Sequence, residues 1–268
     1  MTALERFAEL VVAPRPSLGE GGLLIAAHLG HPMPVEEGLD RLDALAAGTL
    51  LASGGEAPVP LDEVVEHLFS TVGFRGDRAT YGDARNSLLP EVLRRRVGIP
   101  ITLSVVLLEV ADRVGAPAVG VGMPGHFLVG DAVRGDRWFD CFDGGALLDL
   151  AGARARFEAL HGREVRFDPA LLAPTPSPQI LARVLNNLAN AHRATGDPRA
   201  LVRVLELRDA IPGVRAAPRA RVELAEALAG VGRVADAAAV LAELRERVDP
   251  RRRGALEVRL AALRAALN

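Results

Sequence analysis

Apolar residues recur three and four positions apart through most of the first 115 residues, and that period predicts helices. LERFAEL gives a short amphipathic piece. GGLLIAAHLG and VEEGLDRLDALAAGTL give two more, separated by His31-Pro32-Met33-Pro34. After the SGGEAPVP loop, Pro60-Leu61-Asp62 opens a helix over LDEVVEHLFSTVGF, with Leu61, Val64, Val65, Leu68 and Phe69 on one face. The chain turns polar from Arg75 to Asn86. SLLPEVLRRRVG then predicts a helix ending at Gly98. ITLSVVLLEVADRVG is apolar on nearly every side and ends on Gly115, which predicts a buried helix with a glycine C-cap.

After Pro117 the period shortens. AVGVGM, HFLVGDAV and RWFDCF are brief, β-rich and divided by glycine-containing turns, so they predict antiparallel strands. A buried helix followed by a small sheet is an α+β arrangement. Residues 168–179, DPALLAPTPSPQ, hold four prolines and predict a linker. Beyond it the pattern is helical again. ATGDPRALVRVLELRDAIPG and GVGRVADAAAVLAELRERVDP align at a shift of 36 residues, Gly196 onto Gly232. That spacing is close to the tetratricopeptide period of about 34. With about two such units, the tail is expected to need packing on the first domain or a capping helix such as GALEVRLAALRAAL. The expected organisation is 1–167, a linker over 168–179, and helical repeats over 180–268.

Composition narrows the function. Of 268 residues, 49% are apolar, enough for a substantial core. Every basic residue is arginine, and these are interleaved with Asp and Glu, as on solvated helix surfaces. A net charge of −2 argues against general nucleic-acid binding. The longest apolar run, Ile101–Val110, is interrupted by Thr102, Ser104 and Glu109, so no membrane span is expected. MTALERFAEL is not expected to act as a secretory leader, and a single cysteine makes no internal disulfide. A cytoplasmic protein is expected. No HExxH or CxxC spacing and no phosphate loop is present, so neither a metal nor a cofactor is implied.

The chemistry concentrates in GMPGHFLVGDAVRGDRWFDCFDGG, which holds His126, Asp140 and Cys141. Together with YGDARNSLLPEVLRRRVGIPITLSVVLLEVADRVGAPAVGVGMPGHFLV, it resembles the SirB-type domain of the transglutaminase-like superfamily. The helical tail is similar to the tetratricopeptide-like segment that follows that domain. Asn86, Gly98-Ile99-Pro100, Ser104, Gly125-His126-Phe127 and Asp140 carry the resemblance. It implies a papain-like core and a Cys–His–Asp triad, with the cysteine at the start of the buried helix. Counting back from Gly115-Ala116-Pro117 puts Pro100 in the nucleophile slot and Ser104 in the small-residue position. His126 and Asp140 fit the other two members.

Proline has no nucleophilic atom, so the expected site is a disarmed pair in which His126 donates a ring N–H to Asp140. Cys141, next to Asp140 on a strand, should face away and be an inert core residue. Thr102 and Ser104 are the remaining nucleophile candidates; capping and back-bonding to their own helix are the competing roles. Asn86 either caps SLLPEVLRRR or lines the same cleft. Two functions follow. One is a non-catalytic protein whose cleft (Asn86, Pro100, Ser104, His126, Asp140) and helical repeats bind a protein or peptide, with a regulatory role implied by the resemblance. The other is a hydrolase or acyl transferase with a Ser/Thr–His–Asp arrangement.

Overall fold

Local capping starts the first helices. Thr2 and Glu5 exchange backbone and side-chain hydrogen bonds at the start of α1 (Ala3–Leu10), and the Ser17 hydroxyl caps α2 (Leu18–His28). α2 and α3 (Val35–Ala52) pack against the long buried helix described below, and α1 packs on α2. The computed structural model describes residues 1–265. After a loop, α4 (Leu61–Val65) runs on into π-helical turns over Glu66–Thr71.

Two two-residue strands, β1 (Arg75–Gly76) and β2 (Val97–Gly98), pair in parallel. They bracket a 3-10 turn (Ala84–Ser87) and α5 (Leu89–Arg95). The expected helix to Gly98 therefore stops three residues early. Arg96 adopts a left-handed backbone (φ 58°) and turns Val97 and Gly98 into the strand pair.

α6 (Pro100–Arg113) is the central helix. Proline at its first position gives up no helix hydrogen bond, and Gly115 (φ 73°) follows its end. Ile101, Leu103, Val105, Val106, Leu107 and Val110 are all buried, so the helix is surrounded. Against it lies an antiparallel sheet in the order β3 (Ala118–Val121), β4 (Leu128–Asp131), β5 (Trp138–Asp140), β6 (Ala146–Leu148). The fold is thus α+β, as expected, a buried helix and a small sheet flanked by helices. α7 (Leu150–His161) follows, capped by Asp149.

The proline-rich stretch runs along the free edge of β3. Pro174 bridges Val121, Thr175 N–H donates to the Gly120 carbonyl (2.8 Å), and the Thr175 hydroxyl accepts from Gly122 N–H (2.9 Å). α8 (Ser177–Thr195) then buries Ile180, Leu181, Val184, Leu185 and Leu188 in the core around α6. The C-terminal region is helical throughout: α9 (Pro198–Ala210), α10 (Pro212–Arg215), α11 (Pro218–Gly230), α12 (Val234–Arg247) and α13 (Pro250–Ala265). The last residues of the GALEVRLAALRAAL segment lie outside the described residues. Gly196 and Gly232, aligned by the 36-residue echo, both take left-handed turns between paired helices (φ 66° and 82°). Among the described residues no helix is long and apolar enough to cross a membrane.

Candidate functional site

The site forms where the N-terminus of α6 meets the ends of β4 and β5. His126 stands just before β4, in a tight turn rather than within the strand. Its N–H donates to the Met123 carbonyl (3.1 Å), and Gly125 supplies the positive φ of 72° that the turn requires. Asp140 ends β5 and caps the 3-10 turn Cys141–Asp143. Its Oδ1 accepts from the Phe142 and Asp143 N–H groups (3.1 and 3.2 Å).

The expected His–Asp pair is present. Nε2 of His126 lies 2.9 Å from Oδ2 of Asp140, and both side chains are buried. The two atoms are in close contact, but their alignment falls short of a hydrogen bond. That corrects the expectation of a simple N–H donation. Asp140 is also shared: Nη2 of Arg156 stands 3.0 Å from the same Oδ2 and 2.8 Å from Asp143. Burial alone would push the Asp140 carboxyl up. The His126 ring, Arg156 and the Asp143 N–H outweigh it, and the pKa falls below its ordinary value.

Pro100 and His126 line one cleft of about 240 Å³, walled also by Tyr81, Ile101, Phe127 and Arg183. The hydroxyls near the slot are engaged elsewhere. The Ser104 hydroxyl donates back to the Pro100 carbonyl (2.8 Å). The Thr102 hydroxyl donates to the Asn86 carbonyl (2.7 Å) and accepts from Ile99 N–H (3.2 Å). Cys141 is fully buried beside Ser104, and desolvation pushes its thiol up to about 12, so it is not a thiolate at neutral pH. Its burial matches the expectation, but it opens a 3-10 turn rather than lying on a strand, and it packs in the core.

Asn86 is not a helix cap. It sits inside the 3-10 turn before α5, fully buried. Its amide nitrogen donates to Asp77 (3.0 Å) and to the Thr80 carbonyl (2.7 Å), and its oxygen accepts from Arg95 (3.0 Å). Asp77 further accepts from the Thr80 hydroxyl and N–H and from Ala79 N–H, which hold its carboxyl near pKa 2. This network fixes the loop that carries Tyr81 over the cleft, edge-on to Phe142 (5.7 Å between ring centroids).

Sequence reasoning missed Arg156 and Arg183. Arg183, on α8, donates from Nη2 to the carbonyls of Met123 (3.0 Å) and His126 (2.9 Å) and lies over the Phe127 ring. The two arginines come from helices far along the chain, and no spacing ties them to His126. A larger, open groove of about 770 Å³ lies by β6 and the start of α7, lined by Arg134, Arg137, Leu147 and Asp149 among others. Its lining contains no serine, threonine, cysteine or histidine. No metal-ligating cluster occurs among the described residues.

A buried helix presenting its N-terminus to a His–Asp pair on an antiparallel sheet defines a transglutaminase-like domain. The chain belongs to the transglutaminase-like superfamily, whose domain matches residues 35–186, through the first half of α8. It is similar to a UPF0162 protein of Xylella fastidiosa strain 9a5c, 42% identical over 158 residues, 56% of each chain. It is also similar to the UPF0162 protein PA3419 of Pseudomonas aeruginosa, 34% identical over 199 residues, 72% of each. A 90-residue stretch is 38% identical to mouse F-box only protein 21, covering 34% of this chain and 13% of that protein. The chain thus spans little more than half the length of the Xylella relative it matches.

Proposed function

We propose that the chain is a non-catalytic transglutaminase-like protein that binds a protein or peptide in the cleft at His126. The observation that carries this reading is Pro100: it lines the cleft with His126 at the helix start, where a triad needs its nucleophile. The engagement of Thr102 and Ser104 with backbone carbonyls supports it, because neither hydroxyl is turned to the histidine. Pro100 also lacks the N–H that an oxyanion hole would use at that position.

The same reading takes residues 180–268 as tetratricopeptide-like repeats offering a second surface to the partner, after the linker at 168–179. The glycine turns and helix pairs of the 36-residue echo support it. It also takes the protein as cytoplasmic and possessed of a regulatory role. The test is chemical. Electrophilic probes for serine and cysteine should leave the native protein unlabelled, and Pro100→Cys should gain a thiol with a pKa at least about one unit below the ordinary 8.5. That depression should vanish when His126→Ala is added. A His126-dependent adduct on the unsubstituted protein would overturn the reading.

A further inference from the structure

We propose that the cleft receives the C-terminal carboxylate of a polypeptide, gripped by Arg183, the free ring nitrogen of His126 and the N-terminal amides of α6. The proposal rests on the non-catalytic reading and names what the cleft binds. The first ground is an unspent cation. Arg137, Arg156 and Arg113 each meet carboxylates. Arg183 is half-buried, lines the cleft, and forms no ion pair with any described residue. Its Nη2 is occupied by two carbonyls, which holds the guanidinium still and leaves Nε and Nη1 as donors. Gly122 makes room for this: a Cβ there would come within 2.5 Å of Arg183 Nη1. Burial pushes the guanidinium pKa down, with only Tyr81 acting against it. A carboxylate bound alongside would relieve that cost.

The second ground is the His126 ring. Its side chain is 6% exposed, lines the cleft, and turns Nε2 to Asp140, which leaves Nδ1 for a ligand. Third, α6 begins at Pro100, and its first helical hydrogen bond of this kind runs from Leu103 N–H to the Ile99 carbonyl (3.1 Å). The N–H groups of Ile101 and Thr102 lack helical acceptors, and the helix dipole favours an anion there.

Charge and size choose the ligand. A lone arginine with single donors to spare matches a monoanion such as a carboxylate, whereas phosphate recognition usually draws a cluster of arginines. The Asp140 carboxylate behind the histidine disfavours a dianion more than a monoanion. A cleft of about 240 Å³ is below the usual size of about 300–1,000 Å³ for drug-sized ligands and suits a chain end. Pro100, Ile101 and Phe127 offer apolar walls to a last side chain, and the Asn187 amide offers a partner to the preceding peptide group.

The experiment titrates the full chain with acetylated Gly-Ala-X peptides (X being Ala, Val, Leu, Ile, Met or Phe), each as free acid and as C-terminal amide. Acetate is the small-anion arm. Binding is read from the backbone amide resonances of Ile101 and Thr102. At least one acid should shift both resonances and bind about ten-fold or more tighter than its amide and than acetate. Arg183→Met should remove the preference for acid over amide, and Arg183→Lys should restore part of it. Equal binding of acid and amide overturns the carboxylate claim and leaves the binding cleft standing. Acetate binding as well as the peptides, or no acid shifting the two resonances, also overturns it. Should Arg183→Met fail to fold, the acid-against-amide comparison on the unsubstituted protein decides alone. A His126-dependent electrophile adduct would remove the underlying reading instead, independently of these titrations.

Discussion

At the scale of single residues, the buried carboxylate of Asp140 and the thiol of Cys141 are neighbours in sequence with opposite fates. Asp140 meets the His126 ring, the Arg156 guanidinium and two N–H groups, and its pKa is lowered. A carboxylate depressed in the folded state adds stability that is present above its unfolded value near 3.8 and lost as pH falls through the folded one. Asp140→Asn should therefore cost about 1–3 kcal/mol at pH 7. The gap between the two proteins should close as pH falls below about 4, read from melting temperatures at several pH values. A gap that stays constant down to pH 2 would show that ionisation contributes nothing. Cys141, with its thiol near 12 and no exposure, should resist maleimide at pH 8 in the native protein and react once urea unfolds it. Rapid native labelling would place the sulfur at the surface. Both residues stand out in the sequence as chemistry, but the turn that separates their directions does not. Strand alternation and a 3-10 turn both hide the cysteine, and only the Asp140 cap on Phe142 and Asp143 distinguishes them.

At the scale of elements, α6 is legible because three signals agree: a proline that enters a helix, fourteen residues without a breaker, and a glycine after the end. The sheet is legible for its first three strands. β6 is not, because Ala146–Leu148 consists of residues that favour helices and α7 begins only two residues after it. The β1–β2 pair is shorter still, and its formation depends on Arg96 turning left-handed, which side-chain patterning does not encode. Glu109 interrupts an apolar run in the sequence, yet it is part of the core design. Its Oε1 accepts from Gly19 N–H (2.7 Å) and the Ser17 hydroxyl (3.2 Å) at the N-terminus of α2, and Oε2 accepts from Arg113 (2.6 Å). A negative group here satisfies a helix end that would otherwise be buried without partners. Gly19 leaves space for it, since a Cβ would stand 2.7 Å from Oε2. Glu109→Ala should lower stability by about 2–3 kcal/mol in urea unfolding. A loss under about 0.5 kcal/mol would mean that water replaces the carboxylate at no cost.

At the scale of the molecule, two hydrophobic cores meet on one helix. α9 sends Val204 and Leu207 into the core around α6, and Val202 and Leu205 into a second core made with α11, α12 and α13. Polar contacts tie the same helix at both sides. Glu206 meets His28 of α2 and Arg233 at the start of α12, and the buried Arg221 of α11 joins Asp209 of α9 to Glu243 of α12. The cleft does not draw on the second core, because Asn187 on α8 is the last residue that lines it. Damage should therefore divide unevenly. Leu188→Ala, in the first core, and Leu241→Ala, in the second, each remove a fully packed side chain and should each cost about 2–5 kcal/mol where they act. Hydrogen exchange separates them. Leu241→Ala should speed exchange across α11 to α13 while α6 and the sheet keep their protection, because that region opens as its own unit. Leu188→Ala should speed exchange in α6, in the sheet and in the tail together, since α9 has nothing to dock on once the first core loosens. Equal loss of protection everywhere in Leu241→Ala would mean that the α9 contacts bind both cores into one cooperative unit, with the cleft then sensitive to anything that loosens the helical tail.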